Sequence, residues 1–224
     1  IVFFGSARTL SKEDAQNALD NAPKNVDKRT MKRLKSDLKM SIYYEDARKL
    51  ASKFTTWSKG LKDTKRRYII CSGGGPGIME ASNRGAAEAG GINVGLTISL
   101  SHESSGNEWI TNDLDMKFHY FFMRKFWFLY LAKALVVWPG GFGTLDELME
   151  CLTLIQTKKI KKKLPIVLYG KEFWENVVNW DYLVDVGTIS EEDLNLFHIS
   201  DDINDTYQYV TNFIEKYQLT EPNF

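Results

Sequence analysis

The sequence predicts an α/β fold, a doubly wound and mostly parallel sheet with helices on both faces. Three observations carry this reading. Short apolar runs alternate with longer amphipathic stretches, the order expected when each strand is followed by a crossover helix. Several runs, such as Ala134-Leu135-Val136-Val137-Trp138, are apolar without alternation, which suits strands covered on both sides. Glycine-bearing turns follow three of the runs, where a strand hands over to a helix.

Taken in order, Ile1–Phe4 reads as the first strand, ended by Gly5-Ser6. Helical spacing runs over Ser41–Trp57, with Ser41 as its candidate cap. Tyr68–Cys71 reads as a strand and Pro76–Ala89 as a helix with proline in its first turn. Asn93–Thr97 and Met116–Tyr120 are the next strands. Phe121–Lys133 is apolar over most of its surface, so it reads as a buried or interface helix. Ala134–Trp138 is a strand, Thr144–Thr157 a helix, Pro165–Tyr169 a strand and Phe173–Val184 a helix. Leu196–Ile199 and Ile203–Tyr217 close the order as strand and helix. One segment breaks the rhythm. Ser11–Met40 stands where a short connection is expected, and it reads as an insertion at about residues 11–40, helical in part and mobile in part. It could serve as a lid or as a passive surface addition. The expectation is a single Rossmann-like nucleotide-binding domain over residues 1–224 carrying this insertion.

Composition narrows the function classes. Lys and Arg number 29, and so do Asp and Glu, which argues against a nucleic-acid binder that works by neutralising phosphates. The one strong local bias, Lys158-Lys159-Ile160-Lys161-Lys162-Lys163, is expected to be a solvated helix end and loop. Cys71 and Cys151 are far apart in apolar settings, so buried thiols in a reducing, cytoplasmic setting are expected. No apolar run approaches the ~18 residues of a membrane span, and no signal peptide is visible, although the chain opens inside an apolar run. His102, His119 and His198 share no metal-ligand spacing with the cysteines. Neither a metal nor a cofactor is expected. Asp113, Asp115 and Glu80 read as surface or helix-end charges, with Glu80 also within possible reach of a ligand.

The glycine turns carry the chemistry. In a doubly wound sheet ligands bind beyond the carboxyl ends of the strands, so these turns are expected to converge. The first is Gly5-Ser6-Ala7-Arg8. The second is Ser72-Gly73-Gly74-Gly75-Pro76-Gly77-Ile78-Met79, in which glycines let the backbone approach a ligand and a helix start offers free N–H groups. The third is Pro139-Gly140-Gly141-Phe142-Gly143-Thr144-Leu145-Asp146-Glu147. Here Thr144 could cap the helix or donate to a phosphate oxygen, and Thr144 with Glu147 has the spacing of a capping box. A phosphate is the natural guest of such turns. Neither helix-opening turn has the G-x-G-x-x-G spacing with a later acid, and no G-x-x-x-x-G-K-[ST] lysine is present, so a mononucleotide fits better than NAD or a P-loop nucleotide.

Gly73-Gly74-Gly75-Pro76-Gly77-Ile78-Met79, Met123-Arg124-Lys125 and Pro139–Glu147 together resemble the signature segments of the LOG ("lonely guy") family, long labelled lysine decarboxylases. The marker P-G-G-x-G-T-x-x-E is specific, and the resemblance covers the core from Ile1 to about Gly170 apart from the insertion. It implies hydrolysis of the N-glycosidic bond of a nucleoside 5′-monophosphate, AMP or a cytokinin riboside monophosphate, to free base and ribose 5-phosphate. It implies a homodimer. By motif position, it implies Arg124 and Glu147 as the catalytic pair. Gly5, Ser6, Gly73, Gly74, Gly75, Gly77, Gly140, Gly141, Gly143 and Thr144 are then expected at the phosphate and nucleotide, with Met123 and Lys125 flanking the base. The chemistry is consistent: bond cleavage builds positive charge on the sugar, which a carboxylate can stabilise, while a forked guanidinium can hold phosphate or donate toward the departing base. The chain departs from the commoner form of the family at Phe122-Met123-Arg124-Lys125, where the usual glutamate before the arginine is replaced, and in the aromatic run that follows. A non-catalytic nucleotide carrier or sensor is the alternative reading. A pyridoxal-phosphate decarboxylase is disfavoured, since no lysine stands out as a Schiff-base site.

Overall fold

The computed structural model describes residues 1–62, 67–99 and 106–219. Seven strands form one parallel sheet: β1 (Val2–Phe4), β2 (Ile70–Ser72), β3 (Asn93–Ile98), β4 (Asp115–Phe118), β5 (Leu135–Val137), β6 (Ile166–Tyr169) and β7 (His198–Ser200), in the spatial order β4-β3-β2-β1-β5-β6-β7. Every pairing is parallel, with Val2 opposite Cys71 on one side and Leu135 on the other. The chain runs outward from β1 to β4, then returns to β5 on the other side of β1. The order of strand addition therefore reverses between β1 and β5, the place where this class of fold opens a crevice for ligands.

The helices are α1 (Lys12–Asp20), α2 (Lys28–Gly60), α3 (Ile78–Glu88), α4 (Phe121–Leu131), α5 (Phe142–Gln156), α6 (Lys171–Val177), α7 (Trp180–Asp185) and α8 (Ile203–Tyr217), with a 3-10 turn over Glu191–Leu196. Successive strand residues face opposite sides of a sheet. Phe3, Val136 and Val167 accordingly join α2, α3 and α8 in one core, while Val2, Phe4, Leu135, Val137, Ile166 and Leu168 join α4, α5 and α6 in the other. This two-sided burial is why the central strands are unbroken apolar runs. Among the described residues no helix is long and apolar enough to cross a membrane.

Local chemistry corrects several boundaries. The helix expected at Ser41 starts at Lys28, because Asp27 accepts the N–H groups of Arg29 and Thr30 and caps it there. Ser41 lies inside α2, and its hydroxyl donates back to the Leu38 carbonyl. Residues 11–40 thus hold α1 and the first half of α2. The helix expected over Phe173–Val184 divides into α6 and α7, with Asn179 capping the second through Tyr182 N–H.

The lysine run also differs from expectation at one position. Lys162 is buried, and its ammonium donates to the carbonyls of Leu129, Tyr130 and Ala132 at the end of α4. These are carbonyls that a helix end leaves without intrahelical partners. Burial lowers the pKa of Lys162 to about 8. His102 lies outside the described residues. His119 stacks edge-on against Tyr120, and His198 bonds Asp205 at 2.7 Å. No His, Cys, Asp and Glu grouping among the described residues could hold a metal.

Candidate functional site

A cavity of about 610 Å³ opens beyond the carboxyl ends of β1, β2 and β5. Its wall contains Gly5, Ser6, Ala7 and Arg8 after β1, Gly73, Gly74 and Gly75 after β2, and Gly141, Phe142, Gly143, Thr144 and Glu147 of the turn and helix after β5. Met79, Thr97, Ile98, Lys117, Phe121, Arg124 and Phe128 also line it. The three glycine turns thus meet in one place, as the topology requires.

The glycines serve two different purposes. Gly77 has φ +70°, and a Cβ there would lie 2.3 Å from the Ser6 carbonyl oxygen, so this residue locks the first two turns together, and Ile78 N–H bonds that same oxygen at 3.0 Å. A Cβ at Gly140 would lie 2.1 Å from Thr144 Oγ1. Gly77 and Gly140 lie outside the cavity wall and shape the turns from behind. Gly140 instead borders a smaller hollow of about 180 Å³ with Asp37 and Met40 of α2. By contrast, a Cβ at Gly141 or Gly143 would meet nothing within 4 Å, so their bareness leaves room in the cavity itself.

The helix after β5 begins earlier than its sequence suggests. Gly141 is the N-cap of α5 and Phe142 the first helical residue, so Thr144 stands in the first turn and caps nothing. The expected capping box with Glu147 is absent. Both side chains are instead buried in the cavity wall.

Glu147 and Arg124 approach one another there, with Glu147 Oε1 3.8 Å from Arg124 Nη2. Glu147 is buried and Arg124 half-buried, and the guanidinium lies 5.1 Å from the ring centre of Phe121 and 5.6 Å from that of Phe128. Glu147 Oε2 and Arg124 Nε are buried with no hydrogen-bond partner among the described residues. Burial disfavours the ionised carboxyl and raises the pKa of Glu147 to about 7, against the opposing attraction of Arg124 and Lys125. Burial likewise lowers the pKa of Arg124. Two opposite charges thus stand in a poorly hydrated wall, each with a polar atom left over. That is a costly arrangement for a structural ion pair and a useful one for a ligand with hydroxyls or developing charge.

The neighbours of Arg124 face elsewhere, because successive helix residues are turned by about 100°. Met123 is exposed outside the cavity wall. Lys125 bonds Asp146 at 2.7 Å and Glu150 at 2.9 Å, latching α4 to α5 on either side of Glu147. It therefore fixes the spacing of the Arg124–Glu147 pair and does not line the cavity. Glu80 is held by the Tyr44 hydroxyl at 2.7 Å, in the contact between α2 and α3. Asp115 accepts from Thr97 Oγ1 at 2.6 Å.

Thr97, Ile98 and Lys117 have no motif around them, and the sheet order brings them to the cavity, whereas Phe128 follows Arg124 by one turn of α4. A sequence signal existed for two of them, since Thr97, Ile98 end a strand at the ligand-bearing edge.

A family model described as "Possible lysine decarboxylase" matches residues 79–210. The pyrimidine/purine nucleotide 5′-monophosphate nucleosidases of Escherichia coli K12 and Escherichia coli O157:H7 are each 29% identical to the chain over 117 residues, 47% of this chain and 25% of theirs. The chain thus spans a quarter of the length of these curated relatives. Among solved structures, the structural-genomics target TM1055 aligns with 20% identity and a TM-score of 0.51 over 94% of this chain and 97% of its own. The molybdenum cofactor binding protein from the phototrophic bacterium Rippkaea orientalis aligns with 15% identity and a TM-score of 0.50 over 77% and 88%. At such identities these two share the fold. The family model spans more than half of the chain and includes its arginine-lysine and P-G-G-x-G-T-x-x-E segments, so the chain belongs to the LOG family, the group described as possible lysine decarboxylases.

Proposed function

We propose that the chain hydrolyses the N-glycosidic bond of a nucleoside 5′-monophosphate, releasing free base and ribose 5-phosphate. The observation that carries this is the Arg124–Glu147 pair in the cavity wall, each member with a buried polar atom that has no partner among the described residues. A pure binder of an anionic ligand has no use for a buried carboxylate beside it. The names of the Escherichia coli relatives support the same reaction class.

In this reading the turns at Gly5-Ser6, Gly73–Gly75 and Gly141–Thr144 receive the phosphate through backbone N–H groups and the Thr144 hydroxyl. The ribose lies against Glu147. As the bond to the base lengthens, positive charge grows on the sugar, and the Glu147 carboxylate stabilises it. As the C–N bond breaks, water oxygen bonds to the sugar carbon and one of the water's protons ends on the released base. Arg124 holds anionic oxygen or donates toward the departing base. A carboxyl with a pKa near 7 suits a site that works at neutral pH.

The exposed aromatic row on α4, including Phe122, Phe126, Trp127 and Tyr130, is proposed as the contact with a second copy in a homodimer. The unpaired Cys71 and Cys151 fit action in the cytoplasm. The test is a panel of nucleoside monophosphates that includes AMP and a cytokinin riboside monophosphate, with free base and ribose 5-phosphate as readouts. Release from one member supports hydrolysis and names the base. Tight binding with no release across the panel replaces the proposal with a carrier or sensor.

A further inference from the structure

Beneath the turn at Gly73–Gly75 lies a polar network built from Ser72, Asn83, Asn93 and Asn107. Ser72 Oγ accepts the Gly74 N–H at 3.0 Å and donates to Asn83 Oδ1 at 2.7 Å. Asn83 Nδ2 donates to Asn93 Oδ1 at 2.8 Å. Ser72, Asn83 and Asn93 are fully buried. Asn107 arrives from the segment between β3 and β4. Its backbone N–H donates to the Gly74 carbonyl at 2.7 Å. Its Nδ2 lies 3.1 Å from the carbonyl oxygens of both Gly74 and Gly75, and 3.0 Å from Asn83 Oδ1. Its Oδ1 accepts the Trp109 N–H at 3.2 Å. Only an amide supplies donors toward two carbonyls and an acceptor on its other side at once.

This wiring bears on the cavity. A glycine turn that meets an anion has N–H groups and carbonyl oxygens that compete for the same face. The N–H groups attract the anion and the carbonyls repel it. Gly74 has φ +72° and lies in the cavity wall with Gly73 and Gly75, whereas Asn107 lies outside that wall. The carbonyls of Gly74 and Gly75 are therefore engaged on the side away from the ligand.

We propose that Asn107 is a positioning residue for the phosphate site: by holding the carbonyls of Gly74 and Gly75, it keeps the turn in the conformation that offers N–H groups to the phosphate of a nucleotide. This rests on the nucleotide reading above. Asn83 and Ser72 support it by fixing the amide and the Gly74 N–H. A purely structural role would tie down the 106–114 segment and affect all ligands alike. A positioning role acts on phosphate-bearing ligands alone.

The test uses Asn107→Ala in the full chain, with melting temperature as the control for folding. Calorimetry gives the Kd of ribose 5-phosphate, kinetics give KM and kcat for a turned-over nucleoside monophosphate, and the matching nucleoside serves as competitive inhibitor. The expected result is a Kd for ribose 5-phosphate and a KM for the nucleotide raised about tenfold or more, with kcat and nucleoside inhibition little changed. Ser72→Ala is expected to shift the same constants in the same direction. Unchanged ribose 5-phosphate binding in a folded Asn107→Ala protein overturns the proposal. So does an equal loss for nucleoside and nucleotide, or the failure of both variants to fold. If the unmutated chain binds neither ribose 5-phosphate nor any nucleoside monophosphate, the nucleotide reading itself falls, and that outcome is read before any variant is made.

Discussion

Replacing Glu147 by Gln should make the protein more stable and less active, and the stability gain should depend on pH. The carboxyl has a pKa of about 7 in the fold against 4.5 as its ordinary value. The folded pKa is the higher one, so between these values the folded chain keeps a proton that the unfolded chain has released. Stability contributed by this group is therefore full below the unfolded value and is lost as pH rises through the folded one. The difference corresponds to about 3 kcal/mol of lost stability once pH exceeds both. Gln mimics the protonated acid and never ionises. At about pH 5 the variant and the parent should melt alike. At about pH 9 the variant should melt about 6–12 °C higher, given ~2–4 °C per kcal/mol for a chain of this size. Differential scanning calorimetry at the two pH values measures this, and the comparison cancels every other titrating group. The same variant should lose turnover by about 10²-fold or more while still binding nucleotide. A gain equal at both pH values, or no gain at high pH, would show that Glu147 is not held neutral by burial. Full activity would remove it from the mechanism.

Three further outcomes follow from the geometry. The kcat/KM of the parent should rise with pH through an apparent pKa of about 7, as Glu147 ionises, and a flat profile across neutrality would contradict its role. Lys162→Met removes the donor to three carbonyls at the end of α4 and should cost about 2–4 kcal/mol in urea unfolding; an unchanged midpoint would mean that water replaces the ammonium. Gly77→Ala and Gly143→Ala should separate folding from binding. The first forces a Cβ against the Ser6 carbonyl at φ +70° and should destabilise by about 2 kcal/mol or more. The second has open space around it, so it should fold normally and raise KM by narrowing the cavity.

The layout of the sheet was legible because each central strand is buried on both faces and each glycine turn marks a strand end. Ala134–Trp138 and Pro165–Tyr169 bracket strands found there, and the closing helix has the expected bounds, Ile203–Tyr217. Helix starts were less legible, because capping groups compete. Asp27 outcompeted Ser41, and Gly141 displaced Thr144, since a bare turn can begin a helix before the first polar side chain does.

The sequence by itself determined the sheet class and the three glycine turns, because these are local patterns of burial and backbone freedom, and the resemblance of its motifs to the family's joined Arg124 to Glu147. Only the tertiary structure decided which motif residues face the cavity. The rotation of α4 turns Arg124 inward, Met123 outward and Lys125 onto α5. It also decided that Lys162, from a run that reads as solvated charge, ends α4, and that Asn107, with no motif around it, wires the Gly73–Gly75 turn. Those roles depend on partners tens of residues away, and such distances carry no periodicity for a sequence to display.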